Sequence, residues 1–308
     1  MKNITIVIPC YNEEDSIFPF YEEVIKYLNN PNYFFKLLFV NDGSDDKTLE
    51  RIKELYHKDE RVRYISFSRN FGKESALHAG LERCSCEDAL IFIDADLQHP
   101  PYLIVEMIKY WEEGYKLVYA RHRSRKGEGL LKRFFAKAFY KIFESCSNIK
   151  LESGVKDFQL LDRRVIQAYL SMKDNNRFVK GMFSWVGFEK KCIFFDYVPR
   201  KIGKTSWSFK KLFKYGFNGI NQFSSFLLAL PVIFMIVVFG FMITDIVLCL
   251  LKIVESSWMW EELHKNFYML IILFLFYFAF YLIYNTRAEI IKRPIYIIDE
   301  EDIDNLRK

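Results

Sequence analysis

The sequence lacks the features that mark a protein stapled by disulfides or built around zinc. Its six cysteines (Cys10, Cys84, Cys86, Cys146, Cys192, Cys249) form no CxxC and no paired Cys/His spacing, which fits a reducing compartment. There is no dinucleotide GxGxxG and no Ser nucleophile elbow. Gly203-Lys204-Thr205 has the ending of a P-loop, but Val198 stands five positions before Gly203 where glycine is required, and no strand leads in. No secretory leader is visible, because Met1 runs almost directly into the strand-like Ile-Thr-Ile-Val-Ile-Pro, so the main domain is expected on the cytoplasmic side. Charge of one sign is not dominant either. A net charge of +5 suits nucleic acid, anionic lipid or phosphate substrates equally and does not choose among them.

What is abundant is aromatic. Thirty-one Phe and 19 Tyr bring aromatics to 18%, and apolar residues reach 51%, yet charged residues still make up 27% of the 308 positions. A uniformly soluble protein has no need of so many rings, and a polytopic transporter carries fewer charges. The composition therefore implies segregation into a charged α/β domain and an apolar anchor.

Continuously apolar, β-rich runs at 4–9, 34–40, 62–67, 89–93 and 117–119 alternate with helical patterns at 15–29, 45–57, 73–83 and 101–113. Strands without apolar/polar alternation are covered on both faces. The expectation is an α/β fold with a mostly parallel, Rossmann-like sheet and helices on both sides. Ligands in such sheets lie beyond the carboxyl ends of the strands. That rim would collect CYNEE, NDGSDD, SRNFGK and DADLQH, each of which follows a strand.

Two later segments have the pattern of interfacial helices. Leu130, Leu131, Phe134, Phe135, Ala138, Phe139, Ile142 and Phe143 form one stripe against Lys132, Arg133, Lys137 and Lys141, defining a helix at about 129–147. Phe209, Leu212, Phe213, Phe217 and Ile220 repeat it against Lys210, Lys211 and Lys214 over 209–222; ordinary packing on the domain is the competing reading of both. Residues 215–244 and 266–286 contain no charge, and each run exceeds the ~20 residues that span a bilayer. The connection at 252–265 carries Glu255, Glu261 and Glu262 with Trp258 and Trp260, while Lys210, Lys211, Lys214, Arg287, Lys292 and Arg293 flank the pair. The positive-inside rule then predicts two transmembrane helices within 223–286, both termini cytoplasmic, a cytoplasmic main domain over 1–208 and a cytoplasmic tail over 287–308.

Asp94-Ala95-Asp96 carries the most specific chemistry. In extended backbone, residues two apart project to one side, so both carboxylates can address one cation, with Gln98 adding a carbonyl oxygen. Such oxygen ligands suit Mg²⁺ or Mn²⁺, which also binds a diphosphate; strand-end acids making turns and caps are the alternative. Asp42, at the end of an apolar strand, is placed to accept hydrogen bonds from a base or ribose, whereas Asp45 is expected to cap the next helix. Pro9, Tyr11 and Glu13 form the first strand-end loop, where a base could stack on the ring. Asp157, an acid among apolar residues in GVKDFQLLDR, could orient an acceptor or act as a base, or serve as a cap. Arg121, Arg123 and Arg125 form one basic cluster, and Arg200 with the following KIGKTSW, including Lys204 and Ser206, forms another. Either could hold an anionic phosphate, or be solvated surface.

Taken together, VIPCYNEE, VNDGSDDKT, SRNFGKESALHAGL, DADLQHPP, GVKDFQLLDR, RFVKGMFSWVGF and RKIGKTSWSFKKL resemble the family 2 glycosyltransferases of GT-A fold. The resemblance runs from residue 4 to about 213 and is greatest to the polyprenyl-phosphate branch, which includes bactoprenol glucosyltransferases and dolichol-phosphate mannose synthases. It implies donor binding by Pro9, Tyr11, Glu13, Asp42, Lys73, Asp94 and Ala95, metal binding by Asp94, Asp96 and Gln98, and catalytic roles for Asp96 and Asp157. Acceptor-phosphate contacts are implied for Arg121, Arg200, Lys204 and Ser206. The implied reaction is inverting transfer from a nucleotide sugar, with UDP-glucose the first choice and GDP-mannose or a UDP-N-acetylhexosamine the alternatives, to a polyprenyl phosphate at the inner membrane. No nucleic-acid partner is implied, and relatives of this type can assemble as tetramers. Only FSWVGF stands where polymerising members carry QxxRW, so single transfer is favoured over polymerisation. Other expectations to separate are transfer to a protein or glycan and a non-catalytic membrane scaffold.

Overall fold

Strands β1 (Lys2–Cys10), β2 (Tyr33–Asn41), β3 (Val62–Phe67), β4 (Ala89–Phe92) and β5 (Leu117–His122) form where the apolar runs are. The computed structural model describes residues 1–123, 141, 143–145, 147, 149, 155–174, 177–196, 216, 219–220, 222–223, 226–251, 257–291 and 293–302. Three more strands complete the sheet: β6 (Val155–Asp162), β7 (Lys190–Phe195) and β8 (Ile298–Asp302). The spatial order is β7-β5-β6-β4-β1-β2-β3-β8. Neighbours β1–β2, β1–β4, β2–β3 and β5–β7 are parallel, whereas β6 lies antiparallel between β4 and β5, and β8 is antiparallel to β3. The expected mostly parallel sheet is thus a mixed one, with a parallel centre.

The two cores follow from the pleat, since successive side chains leave a strand on opposite faces. Ile4, Ile6 and Ile8 of β1 enter one core with α1 (Ile17–Val24), α2 (Thr48–Lys58) and α4 (Leu103–Glu112). Val7, with Leu38 and Val40 of β2, enters the other with α3 (Lys73–Arg83), α5 (Arg163–Ser171) and α6 (Val179–Trp185). Gly80 lets α3 approach β1: a Cβ there would lie 2.5 Å from Val7 Cγ1. Gly43, at φ +61°, has the backbone of Arg69 where its Cβ would be, at 2.2 Å, so the turn after β2 admits no side chain.

Two long helices follow, α7 (Phe226–Leu250) and α8 (Ser257–Ile291). Phe234 meets Phe274 and Phe241 meets Phe267, at 4.5 and 5.4 Å between ring centroids, so the helices run antiparallel. At ~1.5 Å per residue, 25 and 35 residues give about 37 and 52 Å. Among the described residues, one helical stretch, Phe267–Tyr284, meets the length and hydropathy required of a membrane span, with a mean hydropathy of 2.3. Helix α8 starts earlier than the expected loop would allow. Glu261, Glu262, Trp258 and Trp260 lie in its first turns, where Glu261 and Lys265 have the i, i+4 spacing that favours helix.

Most of 129–147 and 209–222 lies outside the described residues. Among the described residues Lys141, Glu144 and Ser145 are exposed, whereas the apolar ones pack inward. Phe143 is fully buried in a cluster with Ile149 and Phe178, with Ile220 and Phe223 against it, rather than facing lipid at the end of its stripe. After α8 the chain returns to the sheet. Tyr296 stacks on Phe67 at 4.8 Å and its hydroxyl bonds Glu82, Lys53 pairs with Glu300 at 2.6 Å, and Arg83 pairs with Glu301 at 2.7 Å. The 287–308 tail is therefore in part a strand of the main sheet.

Candidate active site

The strand register brings the central acids together. Phe92 of β4 pairs with Gln159 of the antiparallel β6; two residues on from the first and two back from the second are Asp94 and Asp157. Lys73, the first residue of α3, bridges them, with Nζ 2.6 Å from Asp94 Oδ1 and 2.7 Å from Asp157 Oδ2. A second ammonium, Lys180 of α6, lies 3.4 Å from Asp157 Oδ1. Burial would push the Asp157 carboxyl up, but Lys180 and Lys73 outweigh it and hold it well below the usual carboxylate range. Burial likewise opposes the charge on Lys73, yet Asp157 and Asp94 keep that ammonium above its ordinary value.

One residue past Phe92 the ladder to β1 still holds, with Ile93 N–H donating to Val7 O at 3.2 Å, and then it stops. Asp94 to Leu97 form a turn, Leu97 has φ 55°, and Gln98 N–H donates to Asp96 Oδ1 at 3.1 Å. The strand therefore delivers Asp94, but alternation does not aim Asp96 and Gln98; a turn with one residue in the left-handed region does, a strain that is held in place by the surrounding structure. His99 is buried behind this turn, its Nδ1 3.8 Å from Asp94 Oδ2 and without a hydrogen-bond partner, between the rings of Phe158 and Phe195. Burial pushes the His99 imidazole down, although Asp94 and Asp96 act against it. Ala95 is buried, whereas Asp94, Asp96 and Gln98 are half-buried.

On the β1–β2 side the loops are laced to each other. Asn12, at φ 55°, donates its N–H to Ser44 Oγ and accepts from Asp45 N–H; Glu13 N–H donates to Thr48 Oγ1. Asp46, not the expected Asp45, accepts the Thr48 N–H at the start of α2, while the Asp45 N–H donates to Asn12 Oδ1. Tyr11 is 38% exposed, an open ring at the rim beyond half-buried Pro9. Asp42 is buried and accepts the N–H groups of Phe71 and Gly72 at 2.7 and 2.9 Å, tying the end of β2 to the SRNFG loop that leads to Lys73. Burial raises the Asp42 carboxyl to about 6, against those two hydrogen bonds and Arg69.

Arg121, opposite Val155 in the β5–β6 register, stands at the same end of the sheet as Asp157, its guanidinium 5.9 Å from the Phe194 ring. Exposed Arg123 faces exposed Asp196 at 4.0 Å, and Arg125, Arg200, Lys204 and Ser206 lie outside the described residues. Two groups escaped the sequence reading. His99 stands inside the DADLQH segment already singled out; Lys180 is 23 residues from Asp157, with nothing local to connect them.

A nucleotide-diphosphate site needs hard oxygen donors for a cation and ammoniums for phosphate. Half-buried Asp94 and Asp96 supply the first, and Lys73 the second. Among the described residues no three His, Cys, Asp or Glu side chains converge as a metal cage. A pair of carboxylates suits a divalent ion whose remaining ligands are water and substrate phosphate, as Mg²⁺ prefers.

Residues 5–170 match glycosyl transferase family 2, and the chain belongs to that family. It is 42% identical to the Bacillus subtilis protein CsbB over 79% of this chain and 76% of that one. It is 39% identical to the bactoprenol glucosyl transferase of Shigella phage SfV, over 72% of each chain. Among solved structures it resembles mannosyl-3-phosphoglycerate synthase from Rubrobacter xylanophilus, at 16% identity and a TM-score of 0.49, covering 71% of this chain and 72% of the other. The chain is a glycosyltransferase.

Proposed function

We propose that the protein transfers one sugar, with UDP-glucose the first choice of donor, to a polyprenyl phosphate at the cytoplasmic face of a membrane. The observation that carries this reading is the Asp94–Lys73–Asp157–Lys180 array on the carboxyl rim of a sheet whose chain continues into two long apolar helices. The similarity to bactoprenol glucosyl transferases supports the acceptor class.

Asp94 and Asp96, with Gln98 adjacent, would hold Mg²⁺ or Mn²⁺, which would neutralise charge on the departing diphosphate. Lys73 holds Asp94 and Asp157 in one arrangement and places an ammonium beside the leaving group. An acceptor phosphate oxygen is already anionic at neutral pH, so no strong base is needed to deprotonate it. That agrees with an Asp157 pinned in its ionised form by two lysines, since a carboxylate so stabilised is a poor proton acceptor. Asp157 on this reading positions rather than deprotonates. The bond from the sugar C1 to the diphosphate breaks and one to the acceptor phosphate forms, with inversion. Pro9, Tyr11, Glu13 and Asp42 frame the nucleotide end, Asp42 by fixing the loop that delivers Lys73. Arg121, Arg200, Lys204 and Ser206 remain acceptor-side candidates.

The anchoring is proposed on the same footing. The chain leaves the sheet after β7 and rejoins it as β8, so between them it crosses any membrane an even number of times. One crossing would strand β8 on the wrong side; α7 and α8 both crossing keeps the whole sheet on one face. Their outward Phe, Ile and Leu side chains, such as Phe239, Ile243, Leu270 and Phe280, are exposed in the monomer and match a lipid environment. A tetramer would cover part of that surface.

The test is a membrane assay with Mg²⁺, undecaprenyl phosphate and radiolabelled UDP-glucose beside other nucleotide sugars. Label should enter the organic phase from one donor, vanish with EDTA, and be lost in Asp96→Ala while the variant stays folded and membrane-bound. Near-normal turnover by Asp96→Ala would overturn the metal assignment, and label on protein instead of lipid would overturn the acceptor class.

A further inference from the structure

We propose that Lys180 receives the phosphate of the acceptor, an assignment that rests on the lipid-phosphate reading above and adds a residue to it. Four charged groups stand in sequence across the site: Asp94, Lys73, Asp157 and Lys180. The Asp94 end adjoins Asp96 and the donor's diphosphate. Lys73 is shared by two carboxylates at 2.6 and 2.7 Å, so its charge is already divided between them. Lys180 stands farther from Asp157, at 3.4 Å, and keeps 34% of its side-chain surface open.

As it stands, the array of two ammoniums and two carboxylates is neutral. A phosphate monoester brings between one and two negative charges, so placing it beside Asp157 requires a cation that can turn toward it. Lys180 is such a group, on a flexible stem whose ammonium can bond Asp157 and a phosphate oxygen together.

The element that carries Lys180 also faces the route by which a lipid would arrive. In α6 the Val179 N–H donates to Glu74 of α3 at 3.2 Å, close to Lys73 in the first turn of that helix. On the other side, the Phe178 N–H donates to Gln222 Oε1 at 2.9 Å, and Gly181 packs so closely on Phe223 that a Cβ there would lie 2.4 Å from the ring. Gln222 and Phe223 lie just ahead of Phe226, where α7 begins. Helix α6 is therefore gripped between the helix that supplies Lys73 and the segment that leads into the apolar pair. A headgroup moving in from that segment meets α6 beside Asp157.

The test uses the full-length protein in membranes or nanodiscs, with Lys180→Gln and Lys180→Arg. Lys180→Gln should raise the KM for undecaprenyl phosphate about tenfold or more, with the KM for the donor and the UDP affinity within about twofold of wild type, and Lys180→Arg should recover most of the loss. Equal rises in donor and acceptor KM would make Lys180 a structural counter-ion of Asp157 and overturn the proposal, as would an unchanged acceptor KM. Native mass spectrometry supplies a readout free of turnover, with undecaprenyl phosphate, undecaprenol and inorganic phosphate as separate probes. Lys180-dependent binding of undecaprenyl phosphate, and not of undecaprenol, supports the proposal even if no sugar is transferred, in which case only the functional reading falls. Equal binding by wild type and Lys180→Gln, no binding of undecaprenyl phosphate by wild type, or Lys180-dependent binding of inorganic phosphate alone would each overturn it.

Discussion

Replacing Lys73 by methionine keeps the volume of the side chain and deletes the charge between Asp94 and Asp157. The carboxylate oxygens it bridges lie no more than 5.3 Å apart, the sum of 2.6 and 2.7 Å. At an effective dielectric of about 20, two like charges at that separation repel by roughly 3 kcal/mol. Removing one member of a buried ion pair costs about 3–5 kcal/mol, and because each of these carboxylates keeps a quarter of its side chain exposed, the lower end applies, about 3 kcal/mol. At roughly 2–4 °C per kcal/mol for a domain of this size, Lys73→Met should melt about 6–12 °C below wild type, followed by Trp fluorescence in detergent. Adding Asp157→Asn removes the repulsion and should recover at least half of the loss in the double variant, while sugar transfer stays abolished. The reasoning fails if Lys73→Met melts with wild type, or if Asp157→Asn lowers the melting temperature further in the Lys73→Met background, since either result would mean that the ammonium does not hold the two acids together.

Two further expectations concern the scaffold. The Asp42 carboxyl, raised to about 6 from an unfolded value of 3.8, binds more protons in the folded state, so its contribution to stability should fall by roughly 3 kcal/mol as pH rises from about 4 to 6. Melting of wild type and Asp42→Asn across that window should show the decline only in wild type; parallel curves would refute the shift. Gly80→Ala gains about 1 kcal/mol of helix propensity but forces a methyl to within 2.5 Å of Val7 Cγ1, so a net loss of about 1–2 kcal/mol is expected, relieved by Val7→Ala. A Gly80→Ala variant more stable than wild type would show that β1 and α3 can move apart.

The parallel centre of the sheet was legible because its strands are apolar on both faces, and α3 spans 73–83 as its pattern predicts. The strands that flank it were not. In β6 a mixed polar and apolar run holds Asp157 in a strand only because β4 and β5 pair with it on both sides. Strand β8, Ile-Asp-Glu-Glu-Asp, has poor intrinsic strand propensity and is stabilised by Lys53, Tyr56 and Arg83 across from it, a tertiary effect invisible in a local window. At the site, the acids were identified from their position after strands, but the turn that aims them and the lysine that joins them depend on chain segments 21 and 84 residues apart, from Asp94 to Lys73 and on to Asp157. For the same reason the burial of Phe143 is not legible locally: nothing near it announces the Phe178 ring that packs on it.

Strand β8 also sets when the sheet can be completed during synthesis. Its partner β3 ends at Phe67, and Ile298 is the 231st residue after it. At about 5–20 residues per second, β3 waits roughly 10–50 s on the ribosome with an unpaired edge. In that interval α7 and α8 are made and, on the proposed topology, pass into the bilayer before the last strand exists. The sheet is therefore sealed only once β8 is made, and a chain halted between α6 and β8 would carry its donor-side motifs on a sheet with an open, aggregation-prone edge.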